Sequence, residues 1–161
     1  MFVFKAAVVG AGTMGGEIAQ AIAAADIPVV LKDIKQEFVD AGLDKAREVT
    51  KGQLDKLVAK EKLTQEQADA RLEEVMGRIE GTTTYDSFGD VDFVIEAAPE
   101  RMEIKRQVFA ELDEVTPGHA ILASNTSSLS ITEMGEATLR PDKVVGFHFF
   151  YPASVMPLVE I

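Results

Sequence analysis

Short apolar runs and stretches of helical periodicity alternate along the chain. The run FKAAVVG ends in glycine and is typical of a strand buried on both faces, as in a parallel sheet. Apolar residues recur at helical spacing from residue 13 to residue 25, and the run PVVLKD then predicts a second strand. These segments together predict a β-α-β unit, whose crossover should be right-handed.

The segment from residue 35 to residue 79 is charged and has mainly helical periodicity. It predicts two helices, the second with Thr64 as its N-cap. The pair is longer than a crossover between parallel strands needs, so we expect a long helical pair inserted after the second strand.

The remainder of the chain continues the alternation. The predicted strands lie in IEGTTTY, DVDFVIEAAPE, AILASNT and KVVGFHF, and the predicted helices are RMEIKRQVFAELDEVT and SITEMGEAT. KVVGFHF is predicted as one buried strand, and MPLVEI is compatible with a short edge strand. This alternation predicts a doubly wound α/β domain with a mainly parallel sheet and helices on both faces.

Length and composition predict one domain over residues 1–161. The chain has 161 residues, 47% of them apolar, and no linker rich in Pro, Gly or Ser. A formal charge of -11 argues against nucleic acid or an anionic membrane as a partner, because both need clustered Lys or Arg. Since there are no cysteines, disulfides and thiolate chemistry are excluded.

The N-terminal apolar segment MFVFKAAVVGAG contains a lysine and runs into glycines. It has neither signal-peptide flanks nor a span of about 20 apolar residues, so nothing targets the chain to a membrane. We therefore expect a cytoplasmic protein, and we expect no metal site.

Three glycines between the first strand and the first helix form the pattern G-x-G-x-x-G. Gly10 permits a tight turn, Gly12 lets a pyrophosphate approach the backbone, and Gly15 lets the helix pack closely on the strand. The helix begins at Thr13 and Met14, where free N–H groups and the positive end of the helix dipole favour phosphates. A glycine-rich turn without a ligand shows the same pattern, so the position between strand and helix is what indicates dinucleotide binding.

Asp33 ends the second strand, about 20 residues after the glycines. A carboxylate there accepts hydrogen bonds from both hydroxyls of the adenosine ribose and repels a 2′-phosphate. Lys32 and Lys35 lie nearby, but neither can clamp a phosphate in the two-pronged manner of arginine. These residues predict a Rossmann-type fold that binds NAD in preference to NADP.

Further polar residues follow the later strands, where a parallel sheet presents its ligand-binding edge. They are Glu96, Glu100 and Lys105 after the fourth strand, residues 124–128 after the fifth and His148 after the sixth. Glu100 and Lys105 have a second interpretation as solvated charges at a helix start, and SNTSS has one as a capping loop.

His148 is followed by aromatic residues and a turn that contains proline. A histidine at the end of an apolar strand is usually a core residue, but an imidazole that titrates near neutral pH is also suited to take a proton from an alcohol. Such a base needs an orienting partner on its other nitrogen, and Glu160 is the candidate if YPASVMP doubles back. His119, in TPGHA, is interpreted as a turn residue.

Four motifs, in the order GAGTMGGEIAQ, VIEAAPE, SNTSSLSI and GFHFFYPASVMPLVEI, resemble the NAD-binding domain of the L-3-hydroxyacyl-CoA dehydrogenases of fatty-acid β-oxidation. The ending MPLVEI resembles the bacterial multifunctional β-oxidation enzymes. The resemblance spans essentially the whole chain. It implies NAD-dependent oxidation of an L-3-hydroxyacyl-CoA to the 3-ketoacyl-CoA.

The resemblance also implies roles for individual residues. For the cofactor, it implies that Asp33 holds the adenosine ribose and that Glu100 and Lys105 make contacts. For the reaction, the implied residues are Ser127 between nicotinamide and the substrate hydroxyl, His148 as the base, Glu160 as its partner, and Lys56 near the CoA moiety.

Two departures from the family pattern affect these expectations. Tyr151 stands where the family usually has asparagine, so we expect a phenol in place of an amide at that cofactor contact. Family members also continue into a helical domain that dimerises and closes the substrate cleft. We expect residues 1–161 to be the cofactor-binding part of a longer homodimeric enzyme, and to turn over substrate slowly by themselves.

Two other functions fit parts of the sequence. A dehydrogenase of a small sugar acid such as L-gulonate belongs to the same superfamily, although the Phe149-Phe150 pair favours an acyl-CoA. A non-catalytic dinucleotide-binding module is the alternative from a different class. The presence of both His148 and Glu160 argues against such a module, because a sensor needs neither.

Overall fold

Six parallel strands form the main sheet. The computed structural model describes residues 2–161. The strands are β1 (Ala6–Val9), β2 (Val29–Lys32), β3 (Ile79–Thr82), β4 (Phe93–Glu96), β5 (Ile121–Ser124) and β6 (Val144–Gly146). They lie in the order β3-β2-β1-β4-β5-β6, and all neighbours are parallel. This is the Rossmann order, so the predicted fold class is confirmed.

Within the described residues, five α-helices cover the sheet. They are α1 (Thr13–Ala24), α2 (Gln36–Ala59), α3 (Gln65–Gly77), α4 (Met102–Val115) and α5 (Ile131–Gly135). The predicted pair after the second strand is confirmed as α2 and α3, and Thr64 caps α3 through a reciprocal capping box with Gln67. No helix within residues 2–161 is both long enough and apolar enough to cross a membrane.

The core lies on both faces of the sheet because successive strand residues point to opposite sides. On β1, Val8 packs in one cluster with Ile18 of α1, whereas Ala7 packs in the other with Phe109 of α4. All four residues of β1 are buried. Burial on both faces is the reason that this strand reads as a continuous apolar run.

The prediction of a single buried strand in KVVGFHF is wrong. β6 ends at Gly146, and the chain then leaves the sheet to form β7 (His148–Phe149), which pairs antiparallel with β8 (Val159–Glu160). Residues 144–150 are only partly buried. The last backbone bond to β5 runs from Phe147 N to Ser124 O at 2.8 Å, after which Phe149 N donates to the side chain of Asn125 at 2.8 Å. The short strand in MPLVEI therefore borders β7 and not the main sheet.

Asp92 connects the N-terminal segment to the start of β4. One of its carboxylate oxygens accepts from Phe4 N at 2.7 Å and Lys5 N at 3.1 Å, and the other lies 3.0 Å from His119 Nε2. The hydrogen bond to His119, together with the two backbone bonds, lowers the pKa of Asp92. His119 itself lies in the turn before β5, as predicted.

A carboxylate whose pKa is depressed by folding stabilises the protein above its unfolded pKa of about 3.9, and this contribution is lost as the pH falls through the folded pKa. We expect Asp92→Asn to lower the free energy of unfolding at pH 6, and the difference from wild type to shrink as the pH is lowered below about 4. Urea titrations across this range measure it, with Asp142→Asn as an exposed control. A difference that is independent of pH would contradict this linkage.

Candidate active site

The glycine loop between β1 and α1 is built as the pattern predicts. Gly10 has φ of 100°, and a Cβ there would lie 2.5 Å from Ala97 O. A Cβ on Gly15 would lie 1.7 Å from Gly10 O, so no other residue fits at that position. A Cβ on Gly12 would meet nothing within 4 Å. The backbone at Gly12 therefore faces open space that a phosphate can enter.

The N-terminus of α1 has the geometry of a phosphate-binding site. The helix begins at Thr13 and Met14, and within the described part of the chain no side chain makes a capping hydrogen bond to it. Free N–H groups at such an end favour an anion. The loop and the helix end together fit the pyrophosphate of a dinucleotide.

Asp33 follows directly after β2, beside the glycine loop. Its Oδ2 accepts from Ala11 N at 2.7 Å, and its Oδ1 accepts from Ile34 N at 2.7 Å. These two bonds fix the carboxylate, and each oxygen keeps a lone pair for a further donor. Asp33 is thus oriented at the position where the ribose hydroxyls are predicted.

A cleft of about 1010 Å³ opens where the strand order reverses, between the carboxyl ends of β1, β2 and β4 and the outer face of α4. Its lining includes Gly12, Asp33, Ile34, Ala97, Pro99 and Val108. Residues after 115 do not line it, so the cleft and His148 are separate parts of the site. A mainly apolar cleft beside the ribose-binding carboxylate has the character expected for an adenine.

Tyr85 forms one wall of this cleft. Its hydroxyl donates to Glu111 Oε2 at 2.8 Å, and Lys32 Nζ lies 4.1 Å from the ring centroid. Burial, together with the bond to Glu111, raises the pKa of Tyr85 above its usual value. Lys35 lies 3.5 Å from Glu37. Lys32 and Lys35 thus have partners other than Asp33, and the preference for NAD over NADP stays a prediction.

A buried ion pair supports the loops at the ends of β4 and β5. Glu96 and Lys105 have side chains that are 0% and 1% exposed, and Lys105 Nζ lies 2.7 Å from Glu96 Oε1. Glu96 also accepts from Ala98 N at 2.7 Å and from Ser124 Oγ at 2.6 Å. Both carboxylate oxygens of Glu96 thus have hydrogen-bond partners. The hydrogen bond to Ser124 joins the ends of β4 and β5 below the ligand-binding edge of the sheet.

Glu100 links this ion pair to the loop after β5. Its Oε2 lies 3.2 Å from Lys105 Nζ, and its Oε1 accepts from the hydroxyls of Thr126 and Ser128. Burial by itself would raise the pKa of Glu100, but the bond from Thr126 and the charge of Lys105 outweigh it and lower this pKa. Ser127 is exposed on the same loop.

His148 and Glu160 are direct partners in the β7–β8 ribbon. His148 Nδ1 lies 3.4 Å from Glu160 Oε2, and the two side chains are 23% and 71% exposed. The loop after Pro152 doubles back, as the pairing of these two residues requires. The residue after His148 is tied to the end of β5, because Phe149 N donates to Asn125 Oδ1 at 2.8 Å.

Comparison with known proteins identifies the family. The family model described as "3-hydroxyacyl-CoA dehydrogenase, NAD binding domain" matches residues 5–161. The chain belongs to this family. NAD as the cofactor is therefore confirmed.

The curated relatives of this NAD-binding domain are longer than the chain. The chain is 42% identical to the peroxisomal fatty acid beta-oxidation multifunctional protein MFP2 of Arabidopsis thaliana. The alignment spans 157 residues, which are 98% of this chain and 21% of that protein. The chain is 43% identical to the fatty acid oxidation complex subunit alpha of Psychrobacter sp., again over 98% of this chain and 21% of the relative. The chain thus spans about a fifth of these curated relatives. Because one of them is named as peroxisomal, the cytoplasmic location stays a prediction.

Solved structures give the same family. The (S)-3-hydroxybutyryl-CoA dehydrogenase PaaH1 from Ralstonia eutropha superposes with a TM-score of 0.86 at 40% identity, over 98% of this chain and 53% of that one. The 3-hydroxybutyryl-CoA dehydrogenase from Escherichia coli gives a TM-score of 0.83 at 39% identity, over 99% of this chain and 32% of that chain.

The residues for which the family resemblance implied a role differ in their exposure to solvent. Lys105 is buried on the ion pair, whereas Tyr151 is 63% exposed, and Lys56 is exposed on α2. Ser127 is exposed on the loop after β5. Their contacts to cofactor and substrate stay predictions.

Asn125 lies within residues 124–128, which were predicted at the ligand-binding edge, but no role was predicted for it. Its Oδ1 accepts from Phe149 N and ties the strand that carries His148 to the end of β5. Glu17, which is 2% exposed on α1, was not predicted as a functional residue, because it lies in a helix predicted only for its apolar periodicity.

Proposed function

We propose that the chain provides the cofactor site and the catalytic base of an enzyme that oxidises an L-3-hydroxyacyl-CoA to the 3-ketoacyl-CoA. The proposal rests on the position of His148 directly opposite Glu160 in the β7–β8 ribbon, with His148 Nδ1 3.4 Å from Glu160 Oε2. An imidazole with a carboxylate on one nitrogen has its other nitrogen free to act as a base. Membership of the 3-hydroxyacyl-CoA dehydrogenase family supports this substrate class.

His148 moves the proton in this proposal. Its Nδ1–H donates to Glu160, and Nε2 takes the proton of the substrate hydroxyl as the carbon gives up its hydride. The carboxylate then stabilises the imidazolium that forms, as an orienting acid does in other base-assisted sites. NAD, when bound, supplies the hydride acceptor. In the reverse direction the same imidazolium returns the proton to the alkoxide.

The remaining residues bind and position. The glycine loop with Thr13 and Met14 holds the pyrophosphate, and Asp33 holds the adenosine ribose. Glu100 is assigned to the cofactor, with Lys105, whose side chain is 1% exposed, acting through its ion pair with Glu100. Tyr151 and Ser127 are assigned to the nicotinamide half, with Ser127 also reaching the substrate hydroxyl. Lys56 is an exposed cation on α2 and is assigned to the CoA moiety, whose phosphates it would attract.

The substrate class is tested by comparing two reactions in the complete protein. We expect kcat/KM for reduction of acetoacetyl-CoA with NADH to exceed kcat/KM for oxidation of L-gulonate with NAD by at least about 10²-fold. The reason is that L-gulonate would leave the contacts to the acyl-CoA unsatisfied. A variant with His148→Ala should lose the first activity. Comparable rates on the two substrates would contradict the proposal.

Cofactor choice gives a separate prediction. Because Asp33 is oriented at the ribose site, we expect NADH to bind more tightly than NADPH by about 2 kcal/mol or more, the scale of an uncompensated charged contact. Calorimetric titration of this chain with both cofactors measures it. Asp33→Asn should narrow the preference, whereas Asp40→Asn, an exposed change on α2, should leave it unchanged. Equal affinities in the wild type would show that Asp33 does not bind ribose.

A further inference from the structure

Glu17 is a buried carboxylate that the proposed reaction does not use. It lies on α1 and is 2% exposed. The adjacent Gly16 packs against α2 so closely that a Cβ would lie 2.8 Å from Gly42 O. A charge buried at such a helix contact is costly unless it is paired or hydrogen-bonded. Its contacts therefore indicate what it holds.

Both oxygens of Glu17 have partners outside α1. Oε1 lies 3.9 Å from Lys45 Nζ on α2. Oε2 accepts from Ser154, with the backbone N and the Oγ each at 3.4 Å. Ser154 belongs to the turn that joins β7 to β8. One buried carboxylate thus connects two helices to the turn between the base and its partner.

Gln53 of α2 holds the same turn residue. Its Nε2 donates to Ser154 O at 3.1 Å, and its Oε1 accepts from the buried Gln20 of α1 at 3.1 Å. The three polar groups of Ser154 are therefore all bound by side chains of α1 and α2. The neighbouring Ala153 is 7% exposed and packs in the core. This turn is anchored.

The ribbon itself is too short to define its own register. It contains the pairs His148 with Glu160 and Phe149 with Val159, and the Glu160 side chain is 71% exposed. Two-stranded ribbons are marginally stable at best, even when they are longer. The position of Glu160 is thus set by what fixes the turn before it.

We infer that Glu17 and Gln53 are positioning residues of the dehydrogenase: by holding Ser154 they return β8 along β7 and keep Glu160 opposite His148. The inference rests on the proposed function, because it assigns to these residues the geometry of the proposed base. Neither residue touches the reacting atoms.

The chain is suited to a direct test because it has only two histidines. Long-range ¹H–¹⁵N NMR reports the ratio of Nδ1–H to Nε2–H tautomers of each neutral imidazole, measured at about pH 8. His148 should be enriched in the Nδ1–H tautomer by its bond to Glu160. His119, which pairs with Asp92, provides an internal reference for folding.

Glu160→Ala, Glu17→Ala and Gln53→Ala should each lower the Nδ1–H to Nε2–H ratio of His148 by at least about threefold. A buried charge-assisted hydrogen bond would give about tenfold or more, and the exposure of Glu160 reduces the effect. Glu17→Gln retains an acceptor for Ser154 and should keep most of the ratio. The matched control is Glu48→Gln, which removes the other carboxylate near Lys45, at 3.7 Å, without contacting the turn.

The outcomes separate the inference from the proposed function. A wild-type ratio in Glu160→Ala would overturn the dyad of the proposed function. A reduced ratio in Glu160→Ala with a wild-type ratio in folded Glu17→Ala and Gln53→Ala would overturn the inference alone. If Glu17→Ala loses the wild-type His119 signal, Gln53→Ala decides the matter, because it removes a partly exposed side chain that anchors the same turn.

Discussion

Replacing His148 with alanine is expected to slow acetoacetyl-CoA reduction by about 10²–10⁴-fold in the complete protein, the usual size of general-base catalysis. NADH affinity should barely change, because the cleft at Gly12 and Asp33 does not extend to the β7–β8 ribbon. A loss in kcat with intact cofactor binding is the signature of a group that acts in the transition state. NADH absorbance measures the turnover and NADH fluorescence the binding.

Two variants serve as comparisons for this prediction. Glu160→Gln should lose less activity than His148→Ala, since it retains a hydrogen bond and loses only a charge that is 71% exposed and therefore screened. His119→Ala removes the other imidazole, which pairs with Asp92 at the start of β4, at the opposite end of the strands from the ligand-binding edge, and should leave turnover unchanged. Near-normal turnover in His148→Ala at neutral pH would mean that this histidine is structural.

Much of the fold could be predicted because local and long-range preferences agree. β1 reads as a continuous apolar run since both of its faces are covered, and the glycine loop has a positive φ at Gly10 and a close approach at Gly15 that only glycine allows. Thr64 has a local capping box, which is visible as a Thr followed by a Gln three residues later.

The end of the sheet could not be predicted from its pattern. Apart from His148, the run from Val144 to Phe149 contains only Val, Gly and Phe, yet β6 stops at Gly146 and the chain leaves the sheet. At this point the side chain of Asn125, and not a backbone carbonyl after β5, accepts the hydrogen bond from Phe149 N. Such a contact joins residues 24 positions apart, so local periodicity does not contain it.

The sequence predicted which residue types of the candidate site lie at the strand ends, but not which of their side chains are buried. Glu96, Glu100 and Lys105 all appeared as ligand-edge residues, and the structure separates them into a buried pair and a partly exposed carboxylate. Burial of a charge depends on a partner that is distant in sequence. Glu17 was missed for the same reason, because its partner lies 137 residues away.

Glu96→Gln is expected to lower the free energy of unfolding by about 3 kcal/mol or more, since it leaves the ammonium of Lys105 buried with only Glu100 as a counter-charge. Breaking a buried pair from one side is much more destabilising than removing both partners. Lys105→Met should also destabilise, because Glu96 then keeps its charge at 0% exposure. Urea unfolding of this chain measures both.

The double variant distinguishes coupling from general damage to the core. If the two groups stabilise each other, Glu96→Gln with Lys105→Met should cost clearly less than the sum of the single changes. The matched control is Arg47 with Glu73, a pair with the same 2.7 Å separation but with side chains 47% and 68% exposed. Glu73→Gln should have a much smaller effect, because water screens exposed pairs. Additive effects of the buried changes would show that Glu96 and Lys105 are not paired in solution, and would leave the strand ends below the ligand edge without their proposed support.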